Sequence, residues 1–171
     1  HGHGESLREA MRQQPYQRLY SLELDPRLAA AGRAAFSPGS RVVILQGAST
    51  TILPLILDPT LPTTFWLDAH LCLGDYTQDA ARDRRLARAV GTVCPLIEEL
   101  AIIHAVSWHH APHILIDDAV CFDPALRYLE PRYTAEEYAD YPTMDAVAAA
   151  VPGYQITRHH AGRGLYLHVH P

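Results

Sequence analysis

The octapeptide "TTFWLDAH", residues 63–70, is a bulky apolar run that stops abruptly at an acid and a histidine. Farther along, "HILIDDAV", residues 113–120, ends its apolar run at Asp117 and Asp118 in the same way. Short runs rich in branched and aromatic residues read as strands, and near-continuous apolarity fits strands covered on both faces of a parallel sheet. Both runs deliver carboxylates at their C-terminal ends. In an open α/β sheet that edge is where ligands bind.

Outward from these two runs, helical and strand patterns alternate. "ESLREAMRQQ" reads as a short helix stopped near Pro15, and "RLYSLELD" as a strand. "PRLAAAGRAAF" reads as a helix, with Pro26 suited to its first turn and its alanines favouring helix. "RVVILQG" is a strand ended by Gly47, and "STTILPLIL" a short helix with Ser49 or Thr50 as N-cap. "CPLIEELAIIHAV" and "YPTMDAVAAAV" are helices, the second ended by Gly153. "YQITRHH" and "GLYLHVH" are strands joined by "AGRG" in a hairpin-like connection. The alternation predicts an α/β fold: a mainly parallel sheet with helices on both faces and an antiparallel C-terminal hairpin.

Bulk composition narrows the function. With 171 residues the chain is long enough for one domain with a real core. The net charge of −5 gives no electrostatic support for nucleic-acid or membrane-surface binding. All fourteen basic residues are Arg, which reads as coding bias, not mechanism. Cys72, Cys94 and Cys121 are odd in number and lack metal-type spacing, so they read as reduced thiols of a cytoplasmic protein. No apolar run is long enough to span a bilayer, and no signal-peptide pattern opens the chain.

Several residue groups could carry chemistry. Glu23, in "SLELDP", ends a strand where an acid can accept both hydroxyls of a ribose; it could equally be a solvated acid before a helix. The glycines of "HGHGE" allow close backbone approach to a ligand, unless the segment is simply a flexible end. His1 and His3 could also join His168 and His170 in a metal cluster. Asp68, Asp117 and Asp118 would repel one another at one sheet edge unless a cation or proton joined them, and oxygen ligands suit Mg²⁺, Mn²⁺ or Ca²⁺ better than zinc. The bland alternative is that they cap helices or face water. His70 could accept a substrate proton or support a metal ligand. His109, His110, His159 and His160 read as exposed loop residues; Tyr16, Tyr20 and Trp66 read as core or rim. The stretch "LCLGDYTQDAARDRRLARAVGTVC" is long for a connection and reads as a helical excursion or a lid.

In order, "YSLELDPRLAAA", "RVVILQGAS", "FWLDAH", "CPLIEEL", "ILIDDA" and "YPTMDAV" resemble class I S-adenosylmethionine-dependent methyltransferases, and more narrowly the metal-assisted small-molecule O-methyltransferases. The resemblance covers nearly the whole chain, and the pairing of "FWLDAH" with "ILIDDA" is its most specific part. It implies a single Rossmann-like domain over residues 1–171. Gly2 and Gly4 would belong to the glycine-rich loop around the methionine part of the cofactor. Glu23 would hold the ribose, and Gly47, Ala48 and Ser49 would border the adenine, with Asp68 also on the cofactor side. Asp68, Asp117 and Asp118 would hold Mg²⁺ or Mn²⁺, and Asp68 and His70 would serve catalysis. The partner would be a small-molecule acceptor, with homo-oligomerisation open.

Two departures from the family matter. Related sequences usually carry an acid where this chain has Ala48. The first strand and the front of the glycine loop are absent, so the domain is expected to be N-terminally incomplete, with a gap beside the strands ending at Asp25 and Asp68. Two rival readings stay open: a degenerate binding protein that keeps the fold without turnover, and a nucleotide- or sugar-nucleotide-dependent enzyme using the same acids for metal.

Overall fold

A computed structural model describes residues 5–13, 16–37, 39–69, 80–129, 138–139, 141–161 and 164–171. The chain divides into two compact units, His1–Ile56 and Leu57–Pro171. It is mixed α/β with two sheets.

The first unit opens with α1, Glu5–Gln13, followed by β1, Leu19–Glu23. Helix α2, Pro26–Ala35, then crosses to β2, Val42–Gln46, and α3, Ser49–Ile56, follows. Asp25 starts α2: its backbone is extended and its side chain accepts a hydrogen bond from the Arg27 N–H at 2.8 Å. Pro26 fills the first turn, where a missing N–H costs nothing. Strands β1 and β2 pair in parallel from Leu19 opposite Val42 to Glu23 opposite Gln46. Ala29, Val42 and Ile44 form the buried core, and Leu7, Met11, Leu19 and Phe36 pack against it. Arg41 donates to the carbonyls of Tyr16 at 2.9 Å and Met11 at 2.6 Å, tying the end of α1 and the approach to β1 to the start of β2.

Ser49 and Thr50 do not cap α3 from outside, as the sequence suggested. The Ala48 carbonyl opens the helix by accepting from Thr51 and Ile52, so both hydroxyl residues lie within the first turn.

The second unit holds β3, Thr64–Leu67, then α4, Ala80–Val90, and α5, Leu96–His104. Strand β4, His113–Ile116, leads into two 3₁₀ turns, Ala119–Cys121 and Pro124–Leu129. Helix α6, Met144–Ala150, precedes β5, Gln155–Ala161, and β6, Gly164–His170. The strand order is β3-β4-β6-β5. Strands β3 and β4 are parallel; β6 runs antiparallel to both β4 and β5. Three of its four strands, β3, β4 and β5, thus run the same way, and β6, between β4 and β5, runs against them. Residues 162 and 163, between β5 and β6, lie outside the described residues.

Its core gathers Leu100 and Ile103 of α5, Ile114 and Ile116 of β4, Phe122, Val147 of α6, Val151, and Leu167 and Val169 of β6. The burial pattern alternates along β3 and β4: Phe65, Leu67, Ile114 and Ile116 are buried, while Trp66 is 48% exposed and Leu115 is half-buried. The apolar runs suggested strands covered on both faces. One face is deeply buried and the other is not, so period two governs these strands despite their composition. Among the described residues no helix is long and apolar enough to cross a membrane.

Candidate functional site

In the first unit, both strands of the parallel pair end at one sheet edge. Glu23 ends β1 half-buried, and its Oε1 accepts a hydrogen bond from the Asp25 N–H at 2.9 Å. The same short turn thus fixes the Glu23 carboxylate and the cap of α2. The Gly47 N–H donates to the Glu23 carbonyl at 3.0 Å, which carries the ladder one residue past β2. Gly47 has φ 147°, and a Cβ there would lie 3.0 Å from the Ile52 side chain. Glycine is therefore needed twice over, for backbone conformation and for room. Ala48 and Ser49 follow directly into α3. The structure brings Glu23, Gly47, Ala48 and Ser49 to one edge; Gly2 and Gly4 lie outside the described residues.

In the second unit, the parallel register places Leu67 opposite Ile116, so Asp68 and Asp117 leave the sheet side by side. The Asp117 N–H donates to the Leu67 carbonyl at 3.0 Å, fixing that adjacency. Asp68 is exposed; Asp117 and Asp118 are half-buried. Asp117 Oδ1 accepts the N–H of Asp118 at 2.8 Å. Asp118 sits in the left-handed region at φ 49°, ψ 49°, where the chain turns from β4 into the first 3₁₀ turn.

The divalent-metal expectation finds no three-ligand group here. Among the described residues no set of three or more His, Cys, Asp or Glu side chains is gathered to hold a metal ion. His70 lies outside the described residues, as do His1, His3 and Cys72. Residues 71–79 of the long connecting segment do too; its described part, residues 80–94, contains α4.

A further acid of this unit was missed in the sequence. Asp123, buried between the two 3₁₀ turns, accepts from the Ala125 N–H at 3.0 Å and pairs with Arg158 of β5 at 2.5 Å. Its only sequence signal was a position five residues past the acid pair. Cys94 and Cys121 are both buried.

The histidines are not all loop residues. His109 and His110 are exposed in a loop as expected, but His159 lies on β5, half-buried, with its ring 5.8 Å from that of His168. His160 also lies on β5. Tyr20 and Trp66 are exposed, not core.

No protein-family model, curated protein or solved structure matches the chain.

Proposed function

We propose that the chain is an S-adenosylmethionine-dependent methyltransferase acting on a hydroxyl of a small molecule. The observation that carries the reading is the first unit's sheet edge, where Glu23 and the Gly47–Ser49 turn meet at the carboxyl ends of two parallel strands. A carboxylate there suits a ribose diol, and a glycine turn leading into a helix admits a flat ring close to backbone. Bound S-adenosylmethionine would supply the electrophilic methyl group. The chain's own work would be positioning: in the first unit Glu23, preset by the Asp25 N–H, would hold the ribose. In the second unit Asp68, exposed past the end of β3, would accept a hydrogen bond from an acceptor hydroxyl. The described acids do not by themselves enclose a cation. Mg²⁺ dependence is a separate arm of the test.

Calorimetric titration with S-adenosylmethionine, with and without Mg²⁺, tests the reading. Saturable binding is expected, with Glu23→Gln weakening it about ten- to hundredfold, the loss of one charge-assisted hydrogen bond. Absence of binding, or affinity unchanged in Glu23→Gln, removes the assignment. Ala48 favours a second reading, a cofactor-binding protein without turnover. Binding with no methylated product from phenol, sugar or polyketide acceptors would establish that alternative.

A further inference from the structure

The outer face of the second sheet carries a cluster of imidazoles at the edge opposite its acids. Antiparallel register sets His113 of β4 directly across from His170, because Ile114 pairs with Val169 and Leu115 with His168. His168 and His170 alternate on β6 and therefore share that face. The nearest nitrogens are His113 Nδ1 and His168 Nε2, 2.9 Å apart. The His168 ring lies 5.1 Å from that of His113, 4.8 Å from His170 and 5.8 Å from His159. His170 is occupied elsewhere, with Nε2 3.3 Å from Thr157 Oγ1 and Nδ1 3.2 Å from the Pro171 carbonyl.

We propose that His113 and His168 form an open, two-imidazole site for a divalent transition-metal ion, Ni²⁺ or Cu²⁺. Imidazole nitrogen suits these ions, which favour ligands at right angles. Two metal–nitrogen bonds of about 2.0–2.1 Å at about 90° separate the nitrogens by roughly 2.9 Å, whereas a tetrahedral angle spreads them to roughly 3.4 Å. The two nitrogens already stand 2.9 Å apart, so a modest turn of the rings reaches either spacing. In the ion-free chain one ring donates N–H to the other's lone pair. On binding, the donating ring takes its other tautomer, its proton passing through water to its second nitrogen, and a turn of the rings brings both lone pairs to the ion. His113 is exposed, so water completes the coordination sphere. With only two protein ligands the site is exchangeable, in accord with the absence of any three-ligand group among the described residues. The pairing owes nothing to the proposed methyl transfer: these residues lie at the start of β4 and the end of β6, away from the strand-end acids.

Calorimetry of the full chain with NiCl₂ tests the site. Expected is one ion per chain, with His113→Asn and His168→Asn each weakening binding at least tenfold and His109→Asn leaving it unchanged. Asparagine keeps a hydrogen-bonding side chain at the position, and circular dichroism verifies that each variant is folded. The visible spectrum of the Cu²⁺-loaded chain should move to longer wavelength in either variant, as a nitrogen ligand is lost. Binding that survives in the His113→Asn/His168→Asn double variant, or no saturable binding by the parent chain, overturns the proposal.

Discussion

Asp118 adopts φ 49°, ψ 49°, a left-handed conformation that costs most L-residues about 1–2 kcal/mol and is tolerated by aspartate better than by most. Two substitutions separate its backbone role from its carboxylate. Asp118→Gly relieves the strain and Asp118→Ala keeps it, so the glycine variant should be the more stable by about 1 kcal/mol in urea denaturation. If the carboxylate matters to acceptor binding, both variants lose that binding equally; a difference tracking stability would assign Asp118 to the turn alone. Cys94 offers a pH test. Burial pushes its thiol up to about 11 from an ordinary 9.0, and the charges of Glu99 and Glu98 add to this, against a hydrogen bond from the Leu96 backbone. The folded state thus holds a proton that the unfolded state releases first. Stability is expected to be flat in this respect below about pH 9 and to fall as the pH rises from there toward 11. Cys94→Ser, followed by thermal melts across that window, should flatten the fall; an unchanged slope would clear Cys94. At this scale the strand-end acids could be read from sequence, because a polar residue closing an apolar run is a local signal. The His113–His168 pair and the Asp123–Arg158 pair could not, since each joins segments far apart in the chain.

At the scale of elements, local chemistry was the better guide. Pro26 behind an aspartate, Gly153 behind a run of alanines, and β-branched clusters between turn residues all marked segments that the structure contains. Where the reading failed, tertiary context was the cause: α3 begins from the Ala48 carbonyl, and β3 and β4 leave one face partly open despite their apolar composition. The turn from β1 into α2 concentrates the most interactions in the fewest residues. Asp25 accepts from Arg27 while its own N–H is held by Glu23. Replacing Asp25 by Ala removes the cap and should cost about 0.5–2 kcal/mol, whereas Asn, which retains the acceptor, should cost only a few tenths. Equal losses in the two variants, measured by denaturation, would show that charge and not capping is the larger effect. The ion pair in the second unit makes a similar case. Arg158→Ala leaves the buried Asp123 carboxylate, among the described residues, with only the Ala125 N–H, and a loss of about 1–3 kcal/mol is expected. A neutral outcome in the same denaturation experiment would mean that water replaces the guanidinium without cost.

At the scale of the whole molecule, the division into a two-stranded and a four-stranded sheet is the feature that composition could not supply. Strand count and helix alternation were legible, because each element leaves its own period in the sequence. Which strands share a sheet was not, because that depends on pairings between distant segments. The two sheets differ in how their ladders are protected. Strands β4 and β6 each have a neighbour on both sides, and their inward residues Ile114, Ile116, Leu167 and Val169 are no more than 1% exposed. Strands β1 and β2, among the described residues, have only each other, and their core residues Val42 and Ile44 retain 9% and 7% exposure. A two-stranded sheet is marginal by itself, and local opening draws on the elements with the fewest buried contacts. Native-state hydrogen exchange should therefore find the amides of residues 20–23 and 43–46 exchanging at least about tenfold faster than those of 114–116 and 167–169, a gap of about 1.4 kcal/mol in opening free energy. Saturating S-adenosylmethionine should narrow the gap by slowing the first set, since a ligand that binds only the closed state stabilises it by about 2.7 kcal/mol at a hundred times its Kd. Equal protection of both sheets without ligand would mean that the two units open as one cooperative body. Selective slowing of the second set by ligand would move the cofactor's contacts from Glu23 and Gly47 to the other sheet.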